Sequence, residues 1–250
     1  MFKAFHIQNE TSTSPVFLIA DHASNAIPED YGTLGIEDPV ALRRHVAWDI
    51  GIEDVTRRLA DHLQATAIYS TFSRLLIDAN RYPDDPASTP VISDGVSVPA
   101  NVDMTKAERK KRVDTYFTPY HDQVSRLLAE KRAQHALPLV FSMHSFTPVM
   151  NDFERPWHVG VLWDQDDRIA APLLEILGKN PALVVGDNEP YSAREPLGYT
   201  MNVHGTELKV PHVVIEIRQD LIDTHHGAEQ WAGLMADAIR QVQKRLEGAA

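Results

Sequence analysis

The chain has 250 residues, 43% of them hydrophobic, no cysteine, and a formal net charge of −11. The lack of cysteine excludes disulfides, thiolate metal sites and cysteine nucleophiles, so any transition-metal site must draw on His, Asp or Glu. The acidic balance argues against nucleic acid as a partner, and apolar runs of at most about six residues are far short of a bilayer span.

Taken in chain order, the N-terminus (Met1 to His6) lacks the long apolar stretch of a signal peptide, so a cytoplasmic enzyme is expected. Short runs rich in Val, Ile and Leu follow: Val16 to Ala20, Ala65 to Tyr69, Leu75 to Ile77, Leu137 to Met143, Val159 to Trp163, Leu183 to Val185 and Val213 to Ile217. They barely alternate, as strands covered on both faces do not. Helical spacing separates them. Trp48, Ile52, Val55, Leu59 and Leu63 share one face. Thr105 with Glu108 forms a capping box that opens a helical stretch to about His135, which Pro119 is expected to divide. Ile169 to Leu177 and Ala228 to Leu246 complete the helices. Tyr82 to Asn101, rich in Pro, Ser and Asp, reads as a long loop. Strands alternating with helices predict an α/β fold, a three-layer αβα sandwich with a mostly parallel or mixed sheet, and residues 1–250 read as one domain.

In such sheets the ligand site lies beyond the strand ends. Asp21-His22 follows the first run, Asp78-Ala79-Asn80-Arg81 the third, and His144 closes the fourth. Glu216 and Arg218 sit in the last. His22 and His144 are candidate metal ligands, or ordinary loop histidines. A third ligand is offered by Asp49 or by His45 four residues before it, and spacing alone leaves that choice open. Asp49 also suits a helix N-cap. His204 and His226 each begin a weak His-x-x-Glu pattern. His226 opens a surface helix, whereas His204, in a Gly-containing loop before the Glu216 strand, is a candidate to line the site. Glu216 shares a strand face with Val214 and Arg218, which fits a general base beside a carboxylate clamp or a plain surface ion pair. Signatures for hydride or phosphoryl transfer are missing. Ser24 and Ser145 adjoin the two histidines, so a metal-free serine hydrolase stays in play.

Together, Asp21 to Pro28, Phe72 to Arg81, Ser142 to Pro148, Asp187 to Ser192 and Ile215 to Leu221 resemble the N-formylglutamate amidohydrolase family, in order and over about Pro15 to Leu246. The resemblance implies a fold similar to zinc carboxypeptidases, zinc-dependent hydrolysis of an N-acyl amide, and Asp49 as the acidic ligand. On that basis His22, Asp49 and His144 are expected to hold one zinc ion and Glu216 to act as general base. Arg74, Asn80, Arg81, Arg218, Asn25 and His204 are the candidates to bind the substrate, a small N-acyl amino acid. A deacylase for another N-acyl amino acid or small peptide is the alternative enzyme, and a non-catalytic metal-binding module the alternative of another class.

Overall fold

In the computed structural model, which describes residues 2–194 and 198–248, β2 (Val16–Ala20) and β6 (Leu139–Phe146) form the middle of the central sheet. Both are buried at every residue. Side chains alternate between two cores. Val16, Leu18, Phe141 and Met143 join one, while Phe17, Ile19 and Val140 join the other. Polar residues find no water on either face, which explains the unbroken apolar runs. Each fully buried Leu, Ile or Phe contributes roughly 1.5–3 kcal/mol.

Around this centre lie β1 (Phe5–Gln8), β3 (Thr66–Ser70), β9 (Val159–Leu162), β10 (Val185–Asp187) and β11 (His212–Arg218). Among the described residues the sheet has seven strands in the order β1-β3-β2-β6-β11-β9-β10. The pairs β2–β3, β2–β6, β6–β11 and β9–β10 are parallel, whereas β1–β3 and β9–β11 are antiparallel. Two small hairpins stand apart from it, β4 (Ile92–Ser93) with β5 (Val96–Ser97) and β7 (Val149–Met150) with β8 (Phe153–Glu154).

One face is covered by α1 (Ile52–Leu63), α4 (Ala170–Gly178) and α6 (His225–Glu247). The other receives α3 (Thr118–Gln134), which continues from α2 (Lys106–Arg112) through a π-helical segment, Val113–Phe117, together with the 72–79 turn. A short helix, α5 (Tyr199–Met201), runs into a second π-helical segment, Asn202–Thr206. The layered, mixed-sheet architecture expected from the sequence is therefore present.

Three expectations change, and one strand is added. Leu75 to Ile77 is a turn, because side chains take the place of a ladder: Leu75 O accepts from Asn101 Nδ2 (3.0 Å) and Leu76 O from Arg112 Nη1 (2.8 Å). Pro119 does not divide its helix. It comes just after the π-helical segment, where Thr118 N bonds five residues back to Val113 O, and that wider turn accommodates the missing N–H without breaking the helical run. The 82–101 loop carries the β4–β5 hairpin. β1 escaped notice because it is a half-polar edge strand without an apolar run.

Candidate metal centre and cavity

Three segments distant in sequence converge above β2 and β6. His22 follows β2 directly, and its carbonyl accepts from Asp49 N at 2.9 Å, which fixes the loop before α1. That loop turns at Gly51, whose φ of +79° and whose would-be Cβ, 2.2 Å from Ile222 O, leave room for glycine alone. Asp49 is thus not the N-cap of α1; Gly51 is. Ser145 holds the same loop, its Oγ donating to Ile50 O (2.9 Å) and its N to Asp49 Oδ2 (3.3 Å).

The result is a buried His22, Asp49 and His144 group whose ligand atoms all lie within 4.8 Å of one another. Asp49 Oδ2 is 2.9 Å from His144 Nδ1 and 3.5 Å from His22 Nδ1. On the far edge of each ring a further group fixes its orientation. His22 Nε2 donates to Asp78 Oδ1 at 2.7 Å, and His144 Nε2 faces Ser142 Oγ (3.0 Å) and Asp21 Oδ2 (3.6 Å). Such carboxylate–histidine pairs set tautomer and ring angle at metal sites. With its proton on Nε2, His22 presents a lone pair on Nδ1, and that buried atom has no hydrogen-bond partner among the described residues. Two imidazole nitrogens and a carboxylate oxygen, one of the nitrogens unsatisfied, fit a divalent first-row ion such as zinc. His45 stands outside the group, 3.9 Å from Asp49 Oδ1.

Electrostatics follow from burial. Burial opposes ionisation of Asp49, but His22 and His144 outweigh it and hold the carboxyl well below its usual range. Burial likewise opposes charge on His144, yet Asp21 and Asp49 push it up to about 10. Burial lowers His45 to about 4. Glu216 goes the other way, raised to about 7 by burial against the pull of His144. It pairs in register with His144 on β6 and Gly160 on β9, is 8% exposed, and its Oε2 has no hydrogen-bond partner among the described residues. An unpaired carboxylate beside the ligand group, with a pKa near neutrality, is what a general base requires.

These residues open into a cavity of about 820 Å³ whose wall also includes Arg74, Asn80 and Arg81. Arg74 bridges Asp49 Oδ1 (3.2 Å) and Asp78 Oδ2 (3.3 Å). Asn80 ties down the next wall, its Oδ1 accepting from Thr200 N at 3.0 Å. Three other candidates lie off the cavity wall. Arg218 is drawn to Asp220 (2.8 Å) and to Arg155 O (3.3 Å). Asn25 donates to Leu42 O at 2.8 Å. His204 is 2% exposed and hydrogen-bonded to His121 at 3.0 Å. Sequence reasoning assigned no role to Asp78, Asp21 or His121. Asp78 and Asp21 do stand at the ends of apolar runs beside the singled-out residues, whereas His121 lies mid-helix and carries no such signal.

The family profile for N-formylglutamate amidohydrolases matches residues 14–223. The crystal structure of a gene product of Agrobacterium tumefaciens is similar at 35% identity and a TM-score of 0.94, covering 98% of this chain and 97% of that one. An N-formylglutamate amidohydrolase from Ralstonia eutropha shares the fold at 17% identity and a TM-score of 0.68, over 96% of this chain and 99% of that one. Comparison with curated proteins finds no match.

Proposed function

The chain belongs to the N-formylglutamate amidohydrolase family and is an amidohydrolase, and we propose that it cleaves an N-acyl amino acid, with N-formyl-L-glutamate the first candidate, using a zinc ion held by His22, Asp49 and His144. The observation that carries this reading is the unsatisfied His22 Nδ1 inside the His-Asp-His group, with the unpartnered Glu216 beside it.

Zinc at such a site supplies a Lewis acid and brings the pKa of water toward about 7. Glu216 accepts a proton from the attacking water and returns it to the departing nitrogen. The water oxygen bonds to the acyl carbon as the C–N bond breaks, leaving a carboxylate and a free amine. Asp78 and Asp21 keep the two imidazoles aimed. Arg74, already shared between two carboxylates, positions Asp49 and Asp78. Arg81 and Asn80, both on the cavity wall, are the candidates to meet a substrate carboxylate.

The two cores share one sheet, which favours the whole chain acting as one catalytic domain. No helix among the described residues is long and apolar enough to cross a membrane, in keeping with a cytoplasmic enzyme acting on a small molecule. A non-catalytic metal module has no use for a buried, partnerless Glu216.

Elemental analysis of the purified protein coupled to formate release from N-formyl amino acids tests the proposal. About one zinc per chain is expected, with activity lost on chelation and restored by zinc. Full activity in metal-free protein would overturn it in favour of a serine hydrolase.

A further inference from the structure

The cavity continues well past the groups assigned to chemistry. From Glu216 its wall follows the same face of β11 through Val214 to His212. Four residues of strand at about 3.3 Å each make an arm roughly 13 Å long. Leu162 on β9 and Met201 and Thr206 of the 199–206 segment flank it. Cavities of about 300–1,000 Å³ bury ligands of drug size, and this one measures about 820 Å³. A single N-formyl amino acid advances the chain by only about 3.5 Å, so with its formyl group at Glu216 most of the arm stays empty. The arm is superfluous for such a molecule.

Its chemistry narrows what would fill it. Val214, Leu162 and Met201 are apolar; among them Asn202 Nδ2 is held by Tyr82, and Thr206 Oγ1 and Val210 O hold the two nitrogens of His212, so the polar capacity left toward the cavity is that of acceptors, Asn202 Oδ1 and Thr206 Oγ1. That mixture suits peptide groups flanked by side chains. A fatty acyl chain has no N–H to offer those acceptors and would displace their water without replacing its hydrogen bonds. Farther out, exposed Arg194 lies over the Trp163 ring at 5.1 Å, a cation at the cavity wall for a carboxylate beyond the first residue.

We propose that the substrate is a short N-formyl peptide of about three to four residues, extended along β11 with its formyl group at Glu216. The proposal rests on the amidohydrolase reading above. Water adds across the formyl amide: its oxygen joins the formyl carbon, the C–N bond breaks, and the proton passes to the peptide nitrogen. Formate and a free peptide amine result.

The test measures kcat/KM of the zinc-loaded protein on N-formylglutamate, an apolar N-formyl tripeptide and N-dodecanoylglutamate. The tripeptide is expected to exceed N-formylglutamate at least tenfold. Val214→Phe, which fills the arm while keeping a good strand former, should cut the ratio of tripeptide to N-formylglutamate at least tenfold. Thr206→Tyr, at an exposed position near the arm's end, should do the same if Val214→Phe fails to fold. A preference for N-formylglutamate or the dodecanoyl compound overturns the proposal, as does an unchanged ratio in folded variants. N-formylglutamate hydrolysis then still stands as evidence for the amidohydrolase reading. Cleavage of none of the three overturns both.

Discussion

Asp78 Oδ1 lies 2.7 Å from His22 Nε2, on the edge of the imidazole opposite Asp49. Burial works against the Asp78 charge, but His22 and Arg74 outweigh it and hold the carboxyl well below its ordinary range. Asp78 therefore meets His22 as an anion, keeps the proton on Nε2 and leaves Nδ1 free for an ion. Asp78→Asn preserves the shape and loses that control. Its zinc affinity is expected to fall by about 10–100-fold, measured on the folded protein by competition with a chelator, and because Asp78 also pairs with Arg74 the melting temperature of the metal-free protein should fall as well.

Glu216→Gln separates three roles. As general base, the variant retains zinc and loses kcat by about 10²–10⁴. A ligand role would lower metal content together with activity. A structural role would lower the melting temperature while activity per folded molecule survived. Metal content, kcat and thermal melting read side by side distinguish the three.

Arg81→Ala should raise KM for N-formylglutamate far more than for a neutral N-formyl analogue. A carboxylate that loses a charge-assisted hydrogen bond forfeits on the order of 1.5–3 kcal/mol. Equal KM changes for the two substrates would remove Arg81 from recognition.

The His121–His204 pair makes stability depend on pH. Ala79 O can only accept, so His121 Nε2 donates to it (2.7 Å), and His121 Nδ1 accepts from His204 Nε2 (3.0 Å). Burial, then the neighbouring His121, lowers His204 to about 4. Below the ordinary histidine value of roughly 6.5 the unfolded chain takes up a proton that the folded chain refuses. Stability is thus full above pH 6.5 and declines as pH falls toward 4, by a total on the order of 3 kcal/mol. His204→Gln should flatten that slope in melting curves recorded from pH 7 to 4.

Arg112 is 1% exposed and donates to Leu76 O (2.8 Å), Asn101 Oδ1 (2.7 Å) and Glu108 Oε1 (3.0 Å). Arg112→Met leaves Leu76 O and Asn101 Oδ1 buried without that donor, at a cost of about 1–3 kcal/mol for each orphaned acceptor. Denaturant melts should show it. Because the 75–81 turn carries Asp78, zinc affinity should weaken in the folded fraction.

What could be read from sequence is what local physics imposes. β2, β6 and β11 were legible because strands buried on both faces admit almost nothing polar, so His22, His144 and Glu216 stood out where those runs end or are interrupted. Thr105 announced α2 because the cap is written in residues three apart, and its Oγ1 does accept from Glu108 N at 3.1 Å. The remainder is long-range. Asp49 rather than His45 reaches His144 across 95 positions, and Asp78 reaches His22 across 56. No periodicity encodes contacts of that separation. Arg218 shows the limit in one residue. Strand parity places it on the face of Glu216, as expected, but parity does not measure distance. Two residues farther on, about 7 Å along the strand, its guanidinium has Asp220 and the Arg155 carbonyl at hand instead of the cavity. Parity is set by the backbone at each residue, whereas the partner of a charged side chain is set by whatever the rest of the fold brings within reach.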